Sequence, residues 1–256
     1  MTFDYIDHAT AANKPGTRMS VVSYVPSPWG EAAKNILTLK GIDCSLFRLD
    51  VQDKSQLDWT GETSAPVLFH NDEPRRSRWI DVLLFAENMN PEPPLLPADP
   101  MQRALAIGLS HELLGEGGLA WQRRQQTVHD GLNGRPGWPE PAAKYLGAKY
   151  GYSPQIGAAA SDRIVALLTL FATRLKDQKS AGHEYYIGNT MTCVDIYSAT
   201  TCALFAPLPE EVCQMRPSSR EVFETTPDKI RAALDPILIA HRDMMYDRHL
   251  TLPLTL

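Results

Sequence analysis

The chain has 256 residues, 43% of them hydrophobic, and a formal net charge of -5, which allows one large domain or two small ones with a sizeable core. No Lys/Arg run is long, the densest basic patch being Arg75, Arg76 and Arg78, which argues against a nucleic-acid footprint and against an anionic membrane surface as partners. No apolar run reaches the roughly 18 residues of a spanning helix, and the four cysteines (Cys44, Cys193, Cys202, Cys213) form no CxxC and no zinc spacing, so free, mostly buried thiols in a reducing, cytoplasmic setting and no metal are expected.

The N-terminal stretch MTFDYIDHATAANKPGTR has no apolar h-region, unlike a secretory signal. Its polar, Gly- and Pro-containing makeup predicts a mobile extension over 1–18. Met19 to Tyr24 is a short Val-rich run, the mark of a buried strand. Ser27 as N-cap with Pro28 at the first helical position starts a helix that runs to about Leu39, and Lys40-Gly41 ends it. Cys44 to Val51 alternates as a second strand, giving β-α-β with a right-handed crossover. Lys54 to Thr60 is a short helix or loop, and Ala65 to His70 a third strand. Glu73 to Arg76 adds a brief fourth, and Ser77 caps a helix from Arg78 to about Asn88.

Asn90-Pro91-Glu92-Pro93-Pro94 cannot continue a helix, which places a linker at about 90–100. The remainder reads as helices. One long helix runs from Met101 to about Thr127, loosened by Gly115, Gly117 and Gly118. Asn133 to Pro141 is a loop that carries Trp138. Further helices cover Pro141–Tyr150, Gln155 to about Lys179, Thr192 to about Phe205, Pro227–Leu234 and Pro236–Leu250.

This order is that of an α/β thioredoxin-like unit over 19–89 followed by an all-α bundle over 101–256. Together with three local motifs it resembles the soluble, cytosolic glutathione transferases over about residues 19–250, with no subclass assigned. Ser64-Ala65-Pro66-Val67-Leu68 looks like the family's strand-opening proline. The resemblance implies a cis peptide there, with the N–H and C=O of Ala65 pairing with glutathione as an added strand edge would. Arg76-Ser77 stands where the family grips the γ-glutamyl end. Ser77 matches, and its hydroxyl and the free N–H groups of a helix start suit a carboxylate. Arg76 departs from the usual acidic or amide residue and would bind a carboxylate instead. Tyr186-Ile187-Gly188-Asn189 through Thr192-Cys193-Val194-Asp195 is similar to the family's capping-box segment, a folding signal in which Asp195 reaches back to Thr192. The linker running into Arg103-Ala104 resembles the family's as well.

The resemblance implies an enzyme that binds glutathione as co-substrate, needs no metal, and stabilises its thiolate for attack on a small hydrophobic electrophile, as in detoxifying conjugation or a related cleavage or isomerisation. A free thiol has a pKa near ~8.5, so a hydroxyl at the N-terminus of the first helix, helped by the helix dipole, would favour ionisation. Ser27 is the candidate of a serine-type enzyme, Tyr24 the alternative, and Ser23 a third. The electrophile pocket would lie between the domains, walled by His111, Glu112, Trp121 and Gln122, with Tyr145 and Trp138 closing it. His111-Glu112 lacks the second His of a zinc motif, and Gly115-x-Gly117-Gly118 is no dinucleotide loop. A non-catalytic binding or scaffold protein of the same fold is the alternative function. A thiol-disulfide oxidoreductase is a third, disfavoured by a first turn without cysteine. The family's habit further implies a homodimer.

Overall fold

The computed structural model describes residues 3–256. At its centre lies β2 (Thr17–Val21), all five residues buried. It pairs in parallel with β3 (Cys44–Arg48) through the crossover helix α2 (Pro28–Leu39), and antiparallel with β4 (Val67–His70). α3 (Lys54–Thr60) links β3 to β4, and α4 (Trp79–Met89) follows. The expected fourth strand is reduced to one antiparallel bridge, Leu68 with Arg76.

A different segment completes the sheet. β1 (Asp4–Tyr5) pairs in parallel with β3, so the order is β1-β3-β2-β4, and α1 (His8–Asn13) follows with Asp7 as its cap. The mobile extension expected over 1–18 is therefore incorrect for its described residues; residues 1–2 lie outside them. The cause is apolar: Ala11 is buried with Phe47, Val67 and Phe69, and Ile6 and Trp59 pack on the same cluster. A two-residue strand is too short for its alternation to stand out.

The helical part holds α5 (Pro100–Leu114), α6 (Leu119–Leu132), α7 (Glu140–Lys149), α8 (Pro154–Ser180), α9 (Cys193–Thr201), α10 (Pro217–Glu224), α11 (Asp228–Ala233) and α12 (Pro236–Arg248). α10 was not foreseen. The single helix expected from Met101 to Thr127 is two. Gly117 has φ +80°, and a Cβ on Gly118 would lie 2.6 Å from the His111 carbonyl oxygen. The chain thus turns where only glycine fits. α8 corrects the membrane-span reading, since by length and composition it could cross a bilayer. Here its Ile164, Leu167, Leu168 and Phe171 are buried, and it packs on α6, α11 and α12.

The capping box forms as expected. Asp195 accepts from the Thr192 N–H at 2.8 Å and from its hydroxyl at 3.0 Å. The same carboxylate accepts from the Tyr186 N–H and from His241 Nε2, both at 3.0 Å. One hydrophobic core runs from Met19 and Leu46 of the sheet, through α2, into α5, α8, α9 and α12. The α2–α9 contact joins the two parts and fixes the cleft beside it.

Candidate functional site

A cavity of about 740 Å³ opens where the start of α2 and the ends of β2 and β3 face α6, α7 and α10. Ser27 and Trp29 reach it from α2, and Thr63, Ser64 and Ala65 from the loop before β4. Ser27 is the N-cap residue of α2 but makes no side-chain capping bond. Its hydroxyl therefore stands at the positive end of the helix dipole without an intrahelical acceptor role. The Ala65–Pro66 peptide is cis. Pro66 is buried behind the wall, while Ala65 lines it. Among the described residues the Ala65 N–H and C=O have no backbone partner, which leaves a short strand edge for a peptide-like ligand.

Tyr24 is placed differently. It has φ +59°, is 43% exposed, and is not among the lining residues. The Arg48 and Arg216 guanidinium carbons lie 5.0 and 5.2 Å from its ring centre. Ser23 does line the cavity. Ser77 is exposed and caps nothing, because α4 starts one residue later than expected, with Arg78 as N-cap and paired to Asp81. Arg76 is paired with Glu73 at 2.6 Å, and its guanidinium lies 4.6 Å from the Phe85 ring centre. Neither Arg76 nor Ser77 is on the cavity wall.

The wall expected from His111, Glu112, Trp121 and Gln122 needs correction. None of the four lines the cavity. His111 is exposed and Glu112 is ion-paired with Arg163. α6 instead presents Ala120, Arg123, Arg124 and Thr127, the i, i+3, i+4, i+7 face of a helix. The break at Gly115–Gly118 resets the helical phase, so counting from Met101 selects the wrong face. Trp138 and Tyr145 do line the cavity. Trp138 is held there by its backbone N–H donating to the Thr127 carbonyl at 3.2 Å, and a Cβ on Gly131 would collide with the Trp138 carbonyl oxygen.

The end of α7 closes the cleft. Lys149 donates to the Thr63 carbonyl, and the Tyr150 hydroxyl lies 3.1 Å from that of Ser64. Burial alone would raise the Tyr150 phenol, but Arg124, the Ser64 hydroxyl and Lys149 together bring it below the usual tyrosine value. The wall is basic: Arg48, Arg123, Arg124, Lys149 and Arg216 stand against the single carboxylate of Asp50. Sequence reasoning missed this set. Arg123-Arg124 after Trp121-Gln122 was its one visible sign, legible only with the helix phase in hand. All four cysteines are free and buried, and none lines the cavity. Burial pushes Cys44 and Cys193 up to about 12 and Cys202 and Cys213 up to about 11.

The sequence matches no family model and no curated protein. Solved structures do resemble it. A glutathione S-transferase from Methylobacterium radiotolerans, crystallised with glutathione sulfonate, superimposes with a TM-score of 0.59 at 19% identity, covering 94% of this chain and 97% of that one. A glutathione S-transferase domain-containing protein from Marinobacter aquaeolei gives 0.62 at 14% identity, over 91% and 100%. A beta-etherase from Sphingobium gives 0.57 at 15%, over 89% and 99%. The chain therefore has the fold of the glutathione transferases, a thioredoxin-like unit joined to a helical domain. Identities this low carry the fold and leave the subclass unassigned.

Proposed function

We propose that this protein is a glutathione-dependent enzyme of the serine type, which binds glutathione along Ala65 and sets its sulfur toward Ser27. The observation that carries the reading is the Ser27 hydroxyl, uncommitted to capping, at the N-terminus of α2 on the same wall as the unpaired Ala65 backbone. A hydroxyl donating to a thiolate, with the helix dipole behind it, lowers the thiol pKa toward neutrality. The thiolate then attacks an electrophile in the cavity, forming the carbon–sulfur bond while the leaving group departs or a carbon–carbon π bond shifts. The solved neighbour crystallised with glutathione sulfonate supports the choice of co-substrate. The burial and high pKa of every cysteine favour a hydroxyl-based site over thiol-disulfide exchange. Arg76 and Ser77 keep the role of gripping the γ-glutamyl end in this proposal, and Arg76 would have to leave Glu73 to do so. A cytoplasmic setting and a homodimer complete it.

Ser27→Ala is the direct test. A hydrogen bond to a charged acceptor contributes about 2 kcal/mol, so turnover with glutathione and a generic aryl halide should fall roughly 30-fold. Glutathione affinity by calorimetry should stay within about a factor of three. Unchanged turnover removes Ser27 from the mechanism. The scaffold reading is favoured if the wild-type protein takes up no glutathione at all.

A further inference from the structure

The cations on the cavity wall are not equivalent. The Arg123 guanidinium donates to the carbonyls of Leu204, Val222 and Thr225 at 2.9 to 3.1 Å. Lys149 is engaged by Thr63 and Arg48 by the Leu256 carbonyl oxygen. Arg216 is exposed at the mouth, against Tyr24. Among the described residues neither Arg216 nor Arg124 has a hydrogen-bond acceptor or a carboxylate for its guanidinium, but Arg216 is exposed to solvent whereas Arg124 is partly buried in the wall. Three aromatic rings surround it instead, with their centres 3.9 Å (Tyr150), 4.5 Å (Trp29) and 5.2 Å (Trp121) from the guanidinium carbon.

Ring faces attract a cation without using its N–H donors. They hold Arg124 in place and leave its planar fork available on the cavity wall. Burial depresses the Arg124 pKa, with Tyr150 opposing that shift. A desolvated cation without an anion is unfavourable by itself, and a ligand that brings the anion relieves the penalty. The group that matches a guanidinium fork with two parallel hydrogen bonds is a carboxylate. The cavity also presents aromatic rings: Trp138 and Phe223 meet edge to face at 6.0 Å, and Tyr145 lines it as well.

We propose that the electrophile taken by this cavity is an aromatic carboxylate, with its ring among Trp138, Tyr145 and Phe223 and its carboxylate on Arg124. The inference rests on the proposed function only in treating the occupant as the electrophile. Glutathione's own carboxylates are the competing claimants for Arg124, and the test separates the two.

The experiment is calorimetric titration of the full-length protein with 3-phenylpropanoate and with its uncharged amide, alongside a separate titration with glutathione. The wild-type protein should bind the acid at least about tenfold more tightly than the amide. Arg124→Met should abolish that preference and leave glutathione affinity unchanged. Arg124→Lys keeps the charge but loses the fork, so it should fall between, and it serves where Arg124→Met fails to fold. Arg163→Gln, on the surface beside Glu112, should behave as wild type. Equal binding of acid and amide by the wild type overturns the proposal, as does a preference that survives Arg124→Met. An equal loss of glutathione affinity in Arg124→Met overturns it too, because the guanidinium would then belong to glutathione. An intact acid preference without any glutathione binding supports the anion site and removes the function proposed above.

Discussion

Tyr150 joins the two halves of the cleft at a single hydroxyl. Its oxygen meets Ser64 at 3.1 Å, next to Ala65, and its ring lies 3.9 Å from the Arg124 guanidinium carbon. Its ordinary pKa is near ~10, and its neighbours lower it although burial opposes them. The folded value is thus below the unfolded one. The phenol therefore adds stability as pH rises above the folded pKa, in full above the unfolded value, and that contribution is lost as pH falls through the folded value. Burial drives the other way at Tyr5, pushed up to about 12, and at the fully buried Tyr186 and Tyr197. In a spectrophotometric titration Tyr150→Phe should delete amplitude from the earliest tyrosinate phase, and Arg124→Met should move that amplitude to higher pH. Identical early phases in all three proteins would show that Arg124 does not act on the phenol. Of these contacts the sequence discloses little. Ser27 and Ala65 are legible because a helix start and a strand-opening proline have local signatures. Arg124 and Tyr150 come together only in the fold.

At the level of elements, two short segments decide the geometry. The first is the Gly115–Gly118 break, which turns α6 so that residues 120, 123, 124 and 127 face the cleft. A Cβ on Gly118 meets backbone oxygen, which cannot move aside as a flexible side chain would. Gly118→Ala should cost about 1–3 kcal/mol, read as a lower denaturation midpoint with an unchanged slope. An unaltered midpoint would mean that the break yields freely. The glycines were visible in the sequence, but they read as a loosening of one helix, since no periodicity states how far a chain rotates across a break. The second segment is the capping box at Thr192–Asp195, legible from its spacing alone. The structure adds that Asp195, fully buried, also receives Tyr186 and His241. Asp195→Ala would leave four donors short of an acceptor and should destabilise by about 3–5 kcal/mol. For a chain of this size that lowers the melting temperature by roughly 10 °C. A change under about 2 °C would show that these donors find other acceptors.

Across the whole molecule, the order of elements was readable because strands, crossover helix and Pro-rich linker each carry strong local signals. The N-terminal segment was not, since β1 has two residues and the segment is anchored through Ile6 and Ala11 on Phe47, Val67 and Trp59, far along the chain. The same distance effect hides the cleft. Its walls come from the start of α2, the loop before β4, α6, α7 and α10, gathered by one core that spans both parts. For the homodimer proposed above, light scattering should return twice the chain mass, and a monomer mass would overturn it. The most direct measurement of the account as a whole is the ultraviolet thiolate absorbance of glutathione bound at neutral pH. The wild-type complex should show a thiolate band that is lost in Ser27→Ala while glutathione remains bound. A wild-type complex without that band, or one whose band persists in Ser27→Ala, would contradict it.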